Sequence, residues 1–75
     1  MQELDRVVLN VDLPEYGLQA GDIGTIVLVH RDNMGYEVEF TTLFGETIAV
    51  VSLFVKQVRS IRRQEVAHAR EFALS

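Results

Sequence analysis

Along the chain, short apolar runs alternate with compact polar breaks, and the period within the runs is two rather than 3.6. Tyr36-Glu37-Val38-Glu39-Phe40 is the clearest case. Tyr36, Val38 and Phe40 share one face of a strand, and Glu37 and Glu39 share the other. Val, Ile and Thr make up 19 of the 75 residues and gather in such runs, bounded by Gly, Asp and Asn, which favours strands over helices. The pattern predicts strands at about 6–11, 24–30, 36–42, 47–53 and 57–61. A long loop containing the single proline, Asp12 to Gly17, follows the first strand. Gly21-Asp22-Ile23-Gly24-Thr25 predicts a sharp start to the second, with glycines placed for positive φ or close packing. Asp32-Asn33-Met34-Gly35 fits a bulged hairpin turn, Leu43-Phe44-Gly45-Glu46 the next turn, and Phe54-Val55-Lys56 one 3₁₀ turn.

Five short strands joined by tight turns predict a mainly β domain over residues 1–61, a small five-stranded barrel whose closure removes exposed edges. Val7 or Val8, Leu9, Val27, Val38, Phe40, Val51 and Val58 are the expected core. Residues 62–75 form a C-terminal tail. Ala67, Ala69, Ala73, Glu65, Arg70 and Leu74 favour a helix there, with Val66, Ala69 and Ala73 on one face and Phe72 at its margin. Arg62 and Arg63 oppose it, because a helix start prefers acids. Read as a strand, the same tail places Val66, His68, Arg70 and Phe72 on one face. Helix is the expectation.

Two strands are apolar on both faces. Thr25, Val27 and Val29 oppose Ile26 and Leu28, and Ile48 and Val50 oppose Ala49, Val51 and Leu53. A free-standing wall shows polar residues outside, so these strands point to a cover, either the tail or another protein, or to a bent sheet that buries both sides. Leu28, Phe44 and Phe72 are the candidate protein-interface residues.

Apolar residues are 48% of the chain, which places it among globular domains and not disordered tails. The net charge of −4 divides unevenly: residues 1–54 carry nine acids and two bases, residues 55–75 five bases and two acids. An acidic body is a poor match for phosphate, so nucleic acid is not the expected partner. Its alternative is a basic contact built from Arg59, Arg62, Arg63 and Arg70. Met1-Gln2-Glu3-Leu4-Asp5 is acidic where a secretory leader is basic, and no apolar run reaches the length of a membrane span, so the expected location is the cytoplasm.

The run Leu13-Pro14-Glu15 … Gly17-Leu18 … Gly21-Asp22-Ile23-Gly24-Thr25, followed by Tyr36-Glu37-Val38-Glu39-Phe40, Gly45-Glu46-Thr47 and Gln57-Val58-Arg59, resembles domain-of-unknown-function family 4926. These are small bacterial proteins, and the resemblance extends from about Leu4 to Ile61. It implies an SH3-like barrel; the Gly-Asp-x-Gly-Thr segment is also similar to KOW-type domains. It further implies a companion protein, in a toxin–antitoxin-like arrangement, and carries over no catalytic residues. Leu28 and Phe44 depart from it, being apolar where members often carry polar residues.

Candidate chemistry is sparse. There are no cysteines, which excludes disulfides, thiol catalysis and Cys-based zinc sites. His30 and His68 lie in no nucleophile–base motif, and their distance in sequence speaks against a shared metal. Asp12, Glu15 and Asp22 lack the spacing of a calcium loop, and Asp22 is expected to bond its own turn. Gly17, Gly21 and Gly24 precede no helix and no Lys-Ser/Thr, so they form no phosphate loop. The expected function is a non-catalytic protein-interaction module, self-associating or bound to a companion, with no metal, cofactor or membrane involved.

Overall fold

The computed structural model describes residues 1–72, and the period-two runs form its strands. These are β1 (Arg6–Leu9), β2 (Ile23–Val29), β3 (Gly35–Thr41), β4 (Thr47–Phe54) and β5 (Val58–Ser60), with 3₁₀ turns at Pro14–Tyr16 and Val55–Gln57. Every neighbouring pair is antiparallel, in the order β4-β3-β2-β1-β5. Because β4 and β5 end the sheet and do not pair, the five strands are not closed into the expected barrel. β1 has four residues and β5 three, so the far end of the sheet stays narrow, and a three-residue edge needs little protection.

The expected tail helix is also absent: residues 61–72 contain one turn, closed by Glu65 N–H donating to Arg62 C=O at 3.1 Å, and no α-helix. The tail is instead held to β5 by Glu65 and to the segment before β2 by Arg70 and Phe72, and spacings of five and two do not fall on one helical face. A helix this short gains little without such a face. Ala73 and Leu74, part of the expected helix, lie outside the described residues.

Alternation places Val7, Leu9, Tyr36, Val38, Phe40, Val51, Leu53 and Val58 in one core, joined by Ile26 and by Leu18 from the first loop. Val27, an expected core residue, is 38% exposed, and Ile26 takes its place. The cause is a bulge between Ile26 and Leu28, which shifts the phase of β2. Ile26 and Val29 then both reach the core side, and Leu28 turns outward beside Glu37.

The two glycines at the start of β2 serve different needs. Gly21 has φ +98° and turns the chain. Gly24 packs against the core, where a Cβ would lie 2.6 Å from Val38 Cγ1. Between them Asp22 accepts from the backbone N–H of Gln19 at 2.9 Å, closing its own turn.

Candidate interaction surface

Tyr36, Val38 and Phe40 face the core, so Glu37 and Glu39 point to the outer face, with Thr25 and Leu28 on β2 and Val50, Ser52 and Phe54 on β4 beside them. Leu28 is 50% exposed, Val50 52% and Phe54 64%. The outer face is therefore an acidic row flanked by apolar side chains. Phe44, 94% exposed, sits in the turn after β3, whereas Leu28 pairs with Glu37 near the start of β3. The two candidate residues thus lie toward opposite ends of the sheet. Phe54 was assigned only to a turn in the sequence pattern; its continuation of the Val50, Ser52 alternation marked it as outward-facing.

The tail covers the other end of this face. Val8 points away from Val7 and Leu9, yet it is buried and stands apart from the main core. It lines, with Ile23 and the tail residues Ala67 and Phe72, a half-open groove of about 580 Å³. Three anchors hold the tail. Arg59 donates to both carboxylate oxygens of Glu65, at 2.8 and 2.6 Å. Arg70 donates through Nε to Asp22 Oδ1 at 2.8 Å, pairs with Oδ2, and also donates to Gly17 C=O at 3.2 Å. The Phe72 ring rests on Gly17, where a Cβ would approach Cε1 to 2.7 Å. Phe72, a candidate interface residue, is thus used within the chain.

These pairs shift the carboxylates. Hydrogen bonds from Arg59 and from the Arg62 backbone hold Glu65 down to about 2, with desolvation opposing. At Asp22 desolvation pushes upward, but the bonds from Arg70 and Gln19 and the guanidinium charge outweigh it, leaving Asp22 below its ordinary value. Of the four arginines of the candidate nucleic-acid contact, Arg59 and Arg70 are committed to these bidentate pairs. Arg62 and Arg63 are exposed.

The densest polar cluster is His30, Glu37 and Ser52 on the outer face. Ser52 Oγ donates to Glu37 Oε2, and His30 Nε2 lies 2.6 Å from the same oxygen. The bond from Ser52, then that from His30, lowers the Glu37 pKa against a smaller desolvation effect. Nucleophilic catalysis needs the serine on the imidazole; here both address one carboxylate oxygen. His68 lies in the exposed tail, far from this cluster in sequence. Among the described residues no group of three His, Asp or Glu side chains is placed to hold a metal, and no helix is long and apolar enough to cross a membrane.

The model of the family described as "Domain of unknown function (DUF4926)" matches residues 3–60. The sheet lies within the matched residues and the tail beyond them. No curated protein and no solved structure matches the chain.

Proposed function

The chain belongs to the DUF4926 family, and we propose that it is a non-catalytic protein-interaction module. The observation that carries this reading is the outer face, where exposed Leu28, Val50 and Phe54 flank the Glu37 and Glu39 row. Such a face suits a companion protein presenting apolar side chains around a basic centre, since two copies placed face to face would oppose like charges. The strand order, with β1 between β2 and β5 and a 3₁₀ turn before β5, supports an SH3-like relationship. A cytoplasmic location fits the cysteine-free chain.

The second reading, a nucleic-acid contact, keeps only Arg62 and Arg63 of its four arginines unpaired among the described side chains, on a chain of net charge −4. The test of the first reading compares tagged wild-type chain with Leu28→Glu as bait in native lysate. A companion recovered by the wild type and lost by Leu28→Glu supports the outer face. Equal recovery by both, or none by either, refutes it.

A further inference from the structure

The sheet has one long open edge. β5 is three residues and leads into the tail, but β4 runs for eight residues, Thr47–Phe54, and among the described residues pairs only with β3. Those eight residues contain no charge, proline or glycine, the usual devices that keep an edge from pairing.

The directions of the free backbone groups follow from two bonds. Val55 N–H donates to Met34 C=O at 3.2 Å, so residue 55 addresses β3. Alternation then turns Leu53, Val51 and Ala49 to β3, and Phe54, Ser52 and Val50 to the open edge. Phe54 confirms this, because its N–H is taken by Gln57 Oε1 at 2.7 Å, from outside the sheet. Gln57 therefore closes one end, and Val50 and Ser52 are left with outward N–H and C=O groups.

We propose that two copies of the chain pair antiparallel along β4 about a two-fold at Val51. In this register Val50 of each copy lies opposite Ser52 of the other, and the pair exchanges both N–H···O bonds. Four bonds form and use every outward group that Val50 and Ser52 present. Moving the axis to Val50 or Ser52 opposes one of these residues to Ile48 in the bulge or to Phe54, whose N–H is already engaged. The charges agree with an antiparallel arrangement: it brings the end of β4 that leads into Lys56, in the 3₁₀ turn, toward the end of the second copy that carries Glu46, once at each end. On the outer face Val50 lies beside Ser52, whereas Ile48, in the bulge, packs against the core of its own copy. This self-pairing goes beyond the companion-binding face and does not need it.

The test is sedimentation of the full chain from about 1 mM to about 1 µM, with amide hydrogen exchange at both ends of the range. The expected result is a monomer–dimer equilibrium in which the Val50 and Ser52 amides exchange more slowly in the dimer. Lys56→Glu should weaken the dimer about tenfold, and Lys56→Glu with Glu46→Lys should restore it. Val50→Pro removes one outward N–H and should leave a folded monomer; the charge pair keeps the test intact if that variant does not fold. Leu28→Glu, on the outer face, should leave the dimer unchanged. A monomer at every concentration overturns the proposal. So does a dimer with unprotected Val50 and Ser52, a charge reversal that fails to restore pairing, or Val50 and Ser52 amides protected by a different protein instead of a second copy.

Discussion

Replacing Gly24 by alanine places a methyl where β2 meets the core. That Cβ would lie 2.6 Å from Val38 Cγ1 and 3.0 Å from both Glu39 O and Phe40 Cε1, against an ordinary carbon contact of about 3.5–4.0 Å. Val38 is fully buried and Phe40 nearly so, so neither can swing away. Overpacking of this kind costs about 1–3 kcal/mol. The smaller entropy of an unfolded chain with alanine returns about 0.4–1 kcal/mol. Gly24→Ala should therefore lower stability by about 1–2 kcal/mol. Val38→Ala removes two methyl groups, about 1.6 kcal/mol by transfer, and the residual cavity raises this to about 2–3 kcal/mol.

The two changes meet at one point in space. Removing Val38 Cγ1 vacates the position that the new methyl at residue 24 would enter and relieves the closest contact, leaving those at 3.0 Å to Glu39 O and Phe40 Cε1. The double variant should be less destabilised than the sum of the singles by about 1 kcal/mol. Urea unfolding followed by circular dichroism, compared at constant m, measures all four corners of the cycle. Additivity within about 0.3–0.5 kcal/mol would refute the packing argument, and so would a Gly24→Ala variant as stable as the parent.

Acid should release the tail. Glu65 and Asp22 have lowered folded values, so their contribution is complete above the ordinary 4.5 and 3.8 and fades as pH falls, for Glu65 through about 2; tail amide signals that stay in their docked positions at pH 2 would contradict this. Both Gly17 and Gly21 have positive φ, so alanine strains the backbone at either, but only at Gly17 does its Cβ collide with Phe72 Cε1; Gly17→Ala should free the Phe72 ring and Gly21→Ala should leave the ring signals in place. Neither DNA nor RNA should bind with nanomolar affinity near physiological salt, and a gel shift abolished by Arg62→Ala with Arg63→Ala would show otherwise.

Where side-chain alternation decided the structure, the sequence could be read. Tyr36, Val38 and Phe40 show their phase directly, and the predicted 36–42 strand is displaced from Gly35–Thr41 by one residue. β2 was misread because Thr25-Ile26-Val27-Leu28-Val29 is apolar on both parities, and a bulge in such a run leaves no trace in composition. The barrel expectation failed for a different reason: strand count does not set pairing between the first and last members of a sheet. Arg62 and Arg63 were the one sign against a tail helix, and that sign was right. The partners of Arg70 and Phe72 were not legible, because Asp22 and Gly17 lie about fifty residues away in the chain. Of the surface residues, Leu28 and Phe44 stood out as apolar in exposed settings, whereas Phe72 is satisfied within the molecule.

The pairing of β1 with β5 orders events in time. β2, β3 and β4 are joined by consecutive hairpins, so their ladders need only short loops to close. The β1–β5 ladder joins Val7 to Ser60, and the Arg70–Asp22 pair spans 48 positions. Loop closure of this length is the slow entropic step, and it comes after the hairpins. On the ribosome the consequence is sharper. Until Ser60 has emerged, Val7, Val8 and Leu9 have β2 on one side and nothing on the other. Until β5 docks, the first strand therefore keeps one edge open to pairing with another chain, and β5 blunts it.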